Sequence, residues 1–383
     1  MASRNRHGYG REMSTPLDRA ESARRAVTVL LVGALLGLGS TTVPAETLLV
    51  VRKSAGAVDF VDPGSGLTLS SVAVGFAPHE ISRSPDGRFA AVSNYGTREE
   101  PGATLSILDL EHPRELRRIE LGAWRRPHGV VWFEQNRIAV TTEEPAALLI
   151  VDPRAARVMT QVPTEQAGSH MVAVISDPLH AFVTNRIAGT TTVIDLASGR
   201  KLADAPTGAG SEAIAVTRDG REVWVAAREA GTITVLDVQT NGVLATLTVP
   251  GQPIRIVMTP TGTALVSCAG SGEVVAFDAR NRRQTGRVTL DVQLPAGSGA
   301  RAGGASATGA VPVGISIAGD GTVFVAATRV DKVVALALPA LTVTRTIDVP
   351  GEPDGMALTP IMPQAVCHAC EAPADPYAPG EAD

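Results

Sequence analysis

The chain has 383 residues, a formal net charge of −5, 38 Gly and 26 Pro, and only 3% aromatic residues. That length fits one large repeat domain as readily as two or three ordinary ones. No sustained helical periodicity follows residue 46, so Val, Ile, Leu and Thr must form the core through many short strands and frequent turns.

The first predicted element is an export signal. Arg4, Arg6, Arg11, Arg19, Arg24 and Arg25 precede an apolar run from Ala26 to Leu38, and small residues end in Val43-Pro44-Ala45. A basic region, a short apolar region and a small-residue site predict cleavage after Ala45 and a periplasmic or secreted location. The run is too short for a comfortable membrane span; an uncleaved signal anchor is the alternative. Arg24-Arg25 raises the twin-arginine route, but the flanks Ser22-Ala23 and Ala26-Val27 match its pattern poorly. Residues 1–45 hold six Arg and three acidic residues, leaving 28 basic and 36 acidic residues and a net charge of −8. That balance argues against nucleic-acid binding, which depends on neutralising phosphates.

Three strands come next, Leu48 to Arg52, Ala57 to Asp62 and Leu67 to Val74. A recurring segment then begins at His79: an apolar strand, the turn Pro85-Asp86-Gly87, and a second strand ending in Ser93-Asn94. Pro presets φ and Gly takes the positive φ that such a turn needs. The same shape returns at Glu212 to Ala227, Ile254 to Cys268 and Val313 to Ala327, with weaker copies from His128 and His170. A seventh copy starts at Asp354 and supplies one strand, Gly355 to Thr359. Two further strands follow each full copy, as in Thr232 to Asp237 and Val243 to Val249. The starts at 79, 128, 170, 212, 254, 313 and 354 are spaced by 49, 42, 42, 42, 59 and 41 residues. Four strands per period of about 42 residues is the pattern of a β-propeller. One blade cannot bury both faces alone, so blades stack in a ring. The expectation is an all-β chain: a single seven-bladed β-propeller over residues 46–360, four antiparallel strands per blade, its last blade closed by both termini.

Segments such as Phe182-Val183-Thr184-Asn185 and Thr192-Val193-Ile194-Asp195 resemble the YVTN repeat of YncE-like periplasmic proteins and surface-layer proteins, over roughly residues 47–360. The resemblance implies the fold and leaves function open: that family includes proteins with no known catalysis, and related propellers hold haem, copper or quinone.

In each repeat the chain crosses to the next blade just before the inner strand, which places the first inner-strand residue at one mouth of the channel. Around the ring these residues read His79, His128, His170, Glu212, Ile254, Val313 and Asp354. Asp354 neighbours His79 in a closed ring, so five consecutive blades present Asp, His, His, His and Glu at one level. Imidazole and carboxylate suit a transition metal such as Cu or Zn, which makes His79, His128, His170, Glu212 and Asp354 candidate ligands. The alternative is that these polar groups solvate the mouth. Arg52, Asn94, Thr142, Glu143, Asn185 and Arg228, near the ends of the second strands, are candidates for contacting a ligand. Two insertions, Tyr95 to Gly102 and Asp291 to Val311, fall at the same mouth, and long loops on one face mark a working face.

The tail from Ile361 to Asp383 is acidic and rich in Pro and Ala, and is expected to be disordered. Its Cys367-His368-Ala369-Cys370 lacks a His at Glu371, so it is not a c-type haem attachment; a local disulfide and a soft-metal chelate remain open. Cys268 reads as a buried small hydrophobe. No phosphate loop, Gly-x-Ser-x-Gly elbow or His-Glu-x-x-His occurs. The leading expectation is therefore an exported, monomeric binding module that presents its mouth to a protein or small ligand, with no catalytic residue assigned. The alternative is a metal-dependent hydrolase or oxidoreductase built on the histidine ring.

Overall fold

A computed structural model describes residues 46–292 and 309–364. The export signal, most of the 291–311 insertion and the Cys367/Cys370 tail lie outside the described residues. Seven four-stranded antiparallel sheets are present among the described residues. The first six blades occupy residues 78–120, 125–163, 169–206, 211–248, 253–289 and 312–348. In the seventh sheet the inner strand Pro353–Thr359 pairs with Thr47–Arg52, which continues through Ala57–Val61 to Thr68–Ala73. Each inner strand packs against the inner strands of its two neighbours. No described helix is long and apolar enough to cross a membrane.

The core is divided into seven apolar clusters, each lying between two neighbouring blades. Phe182 and Val193 of the third blade, for example, meet Val223 and Leu236 of the fourth. The second and third strands of a blade are buried on both faces, as in Glu222–Ala227 and Thr232–Asp237, so they read as apolar runs rather than alternations. Outer strands such as Val243–Thr248 are mostly exposed. Cys268 is fully buried in the cluster between the fourth and fifth blades, and burial pushes its thiol up to about 12.

The Tyr95 to Gly102 insertion is an extended hairpin rather than a loop. Strands Phe89–Gly96 and Pro101–Asp109 pair as far as Gly96 and Pro101. Its tip is closed by a bond from the Thr97 amide to the Glu100 carbonyl, 2.9 Å. The consequence for the site is that Tyr95 sits on a strand and not on a free loop.

Candidate functional site

Every inner strand begins in register with its second strand and then slips. Pro78 faces Asn94, Pro127 faces Thr142, Ser169 faces Asn185 and Ser211 faces Ala227, and in each case the register breaks immediately afterwards. The same break follows Pro253, Pro312 and Pro353. A β-bulge bends the strand and re-aims its side chains. The bulged residues here are the predicted ring residue and the one after it, and the bulge gathers them at the mouth of the channel.

In the first, second, third and fifth blades a hydroxyl on the second strand bonds backbone at a bulge, its own or the next blade's. Thr184 Oγ1 accepts from the Met171 amide at 2.9 Å and donates to the Glu212 carbonyl of the next blade at 3.0 Å. Thr141 accepts from the Gly129 amide at 2.9 Å and donates to the His170 carbonyl. Ser267 donates to the Val313 carbonyl at 2.8 Å. Thr141 and Thr184 thus each satisfy an amide freed by their own bulge and fix the ring residue of the next blade. The blades also come very close here. A Cβ on Gly129 would lie 2.7 Å from the Met171 Cα, and one on Gly355 would lie 2.5 Å from the His79 carbonyl oxygen. Neither position leaves room for a side chain.

The ring positions form a contiguous arc of polar side chains. The His79 and His128 ring centroids are 5.0 Å apart, and His128 and His170 lie nearly face to face at 3.7 Å and 30°. Tyr95 covers the arc, 4.6 Å from the His79 ring and 5.4 Å from the His128 ring. His170 Nδ1 is 2.8 Å from Glu143 Oε1, and the Tyr95 hydroxyl donates to Glu143 Oε2 at 2.9 Å. Carboxylates close both ends. Asp354 Oδ2 lies 3.4 Å from His79 Nδ1 and 3.9 Å from Lys53 Nζ. Glu212 lies 3.8 Å from His170 Nε2 and 3.7 Å from Arg228 Nη1. The fifth and sixth blades complete the ring with apolar Ile254 and Val313.

One residue further along the inner strands, Glu80 of the first blade meets Arg255 of the fifth. These blades are not neighbours, so the ion pair spans the channel just behind the ring. Both residues are buried, Glu80 at 8% and Arg255 at 9% exposure.

Burial dominates the electrostatics. It lowers His79 to about 4 against the opposing pull of Asp354. His128 is held well below its ordinary value by burial and by its two histidine neighbours. Burial pushes the Glu80 carboxyl up, and Arg255 draws it back. The Glu143 carboxyl is buried too, yet it is held below its usual range by its bonds to His170 and Tyr95. His79 and His128 are therefore neutral at neutral pH, beside an ionised Glu143.

Of the candidate ligand contacts, Glu143 and Arg228 lie in this network. Asn94, Thr142 and Asn185 are turned into their own blades: Asn94 donates to Thr104 and Ser106, Asn185 to Thr190 and Thr192, and Thr142 to the Pro145 carbonyl. All three are at most 1% exposed. Arg52 is held by Asp59 at 3.0 Å and by the Pro350 carbonyl at 2.7 Å. The five candidate metal ligands are gathered at the mouth. As placed, however, no three His, Cys, Asp or Glu side chains among the described residues are arranged to hold one metal ion. The stack of His128 on His170 supplies a reason, since imidazoles sharing an ion converge by their nitrogens and splay apart. The sequence reading did not single out Tyr95, Glu80, Arg255 or Lys53. Each stands one residue beyond a position that the repeat alignment does pick out.

Residues 151–260 match the profile of the YNCE-like beta-propeller family. Among curated proteins none matches the chain. A functionally unknown protein from Desulfotomaculum acetoxidans DSM 771 superposes with a TM-score of 0.67 at 14% identity, over 83% of this chain and 99% of that one. A chain of Kuenenia stuttgartiensis hydrazine synthase superposes with a TM-score of 0.63 at 19% identity, over 81% of this chain and 100% of that one. At these identities the likeness concerns the fold alone.

Proposed function

The chain is a YncE-like β-propeller, and from that premise we propose that it is an exported binding module whose channel mouth receives a small ligand or a protein segment. The observation that carries this reading is the largely buried polar arc that fills five of the seven ring positions at the channel mouth. Buried carboxylates and neutral imidazoles cost stability unless they are satisfied. Gathering them on five consecutive blades makes sense as a receptor for something that satisfies them. Export is supported by the basic, apolar and small-residue order of residues 1–45. The test is native mass spectrometry of the full chain purified without a metal-affinity tag. A co-purifying ligand or partner should be retained by Arg218→Ala, on the turn between the first two strands of the fourth blade, and lost in Glu143→Gln, which releases His170. Equal retention by both variants sinks the reading.

A second reading, a metal-dependent hydrolase or oxidoreductase, is favoured by one atom. His128 Nδ1 is buried with no hydrogen-bond partner, and an unprotonated imidazole nitrogen is the form that ligates. The stacked histidines would have to turn apart to reach a common ion at about 2.0–2.1 Å. Elemental analysis decides: near-stoichiometric Cu or Zn, lost in the His79, His128 and His170 triple Ala variant, would favour it over the binding module.

A further inference from the structure

We propose that the mouth arc takes an organic dication, a molecule with two protonated amino or guanidino groups, one seated on Asp354 and the other on Glu212. The inference rests on the reading of the mouth as a binding site and names the chemistry of its ligand.

The channel holds four buried carboxylates, those of Glu80, Glu143, Glu212 and Asp354. Glu80 is bonded to Arg255, and Glu143 is bonded to both His170 and Tyr95. Asp354 and Glu212, at 4% and 8% exposure, stand apart from these two. Their nearest cationic or ring nitrogens lie at 3.4 to 3.9 Å, beyond hydrogen-bond length, whereas a charged donor closes to about 2.7–2.9 Å. Glu212 Oε2 is buried with no hydrogen bond at all. Two carboxylates short of donors thus mark the two ends of the arc, three blades of histidine apart.

The ground between them suits a cationic molecule with a carbon linker. His79, His128, His170 and Tyr95 form a continuous row of rings, with centroid distances of 3.7 to 5.4 Å between neighbours. Rings offer apolar surface to methylene groups, and the Tyr95 face attracts cations. Tyr95 already carries one guanidinium, that of Arg126 at 5.4 Å from its centroid. The cations now facing the two carboxylates, Lys53 and Arg228, have side chains 29% and 40% exposed. Weakly held and close to solvent, they can swing aside for a donor that reaches bonding distance. An anion fits poorly among four carboxylates. A single metal ion fits poorly because no three ligating side chains converge on one point.

The test is isothermal titration of the full chain at near-neutral pH and low salt with the α,ω-diamines from 1,3-diaminopropane to 1,8-diaminooctane. 1-Aminobutane, zinc and inorganic phosphate serve as comparison probes. Expected is saturable one-to-one binding by at least one diamine, weakened about tenfold or more by Asp354→Asn and again by Glu212→Gln, since each removes a charged hydrogen bond. The monoamine should bind about tenfold more weakly than that diamine. Because a buried-site variant can fail to fold, Arg228→Gln supplies a second reading from the rim. Removing this competitor should tighten diamine binding severalfold. No saturable diamine binding, equal affinity in the Asp354 and Glu212 variants, weaker binding in Arg228→Gln, or saturation by zinc or phosphate in place of the diamines overturns the inference. A mouth ligand without cationic groups, found by native mass spectrometry, would overturn it too while leaving the binding-module reading intact.

Discussion

Thr184 serves two blades with one hydroxyl, accepting from Met171 and donating to the Glu212 carbonyl. Replacing it by Val keeps the shape and leaves both backbone groups unpaired in a buried place. The expected cost is about 1–3 kcal/mol in chemical denaturation, recovered largely by Thr184→Ser. A larger charge is at stake in the Glu80–Arg255 pair. Arg255→Met alone should cost about 3–5 kcal/mol because it strands a buried carboxylate. The double variant Glu80→Gln/Arg255→Met should regain most of that loss, and a double-mutant cycle measures the coupling. His79 supplies a third prediction. Its folded value of about 4 lies below the ordinary 6.5, so the unfolded chain binds the proton first. Its contribution, about 3 kcal/mol, is complete above pH 6.5 and is lost as pH falls toward 4. Glu80 runs in the opposite sense, because a raised carboxyl loses stability as pH rises above its unfolded value. Comparing His79→Asn with the parent isolates the histidine: the variant's acid limb between pH 6.5 and 4 should be flatter. An unchanged slope would mean that His79 is not buried in its neutral form.

At the scale of the element, the bulge at the head of each inner strand decides what the mouth contains. Gly355→Ala probes it, since the new Cβ would collide with the His79 carbonyl. The strain should cost about 1–3 kcal/mol and shift the His79 and Asp354 side chains, with thermal melting and ligand affinity as the readouts. The strands themselves were legible, because Pro-Asp-Gly and related turns mark the hairpins and the paired β-branched runs mark the buried strands. The ring was legible as well, since aligned copies place His79, His128, His170, Glu212 and Asp354 at one level. Alternation misleads one step beyond. A strand of strict period two would send Glu80 and Arg255 away from the channel, and only the bulge brings two successive residues to it. The same limit applies to Asn94 and Asn185, whose amides turn inward to Thr and Ser hydroxyls of the third strand. The Thr184-Asn185 pair latches blades: Thr184 bonds across to the fourth blade and Asn185 into its own third strand.

The whole molecule depends on interfaces between blades, with a separate apolar cluster at each one. The seventh sheet draws its inner strand from residues 353–359 and the other three from residues 47–73. Truncation before Pro353 should therefore remove Asp354 and uncover Leu48 and Val50, which pack in the cluster with Leu358. The expected outcome is a lowered melting temperature, loss of a single cooperative transition and aggregation through the open strand edge. Retained two-state melting would mean that the remaining blades hold together without it.

The Glu80–Arg255 bar also governs traffic. A ligand seated on the ring would have this ion pair at its back, and its exchange is then expected to run through the mouth. Exchange should then follow a strict queue, with an off-rate that does not respond to the concentration of competing ligand. A tight binder would act as a stopper for every other guest of the same well.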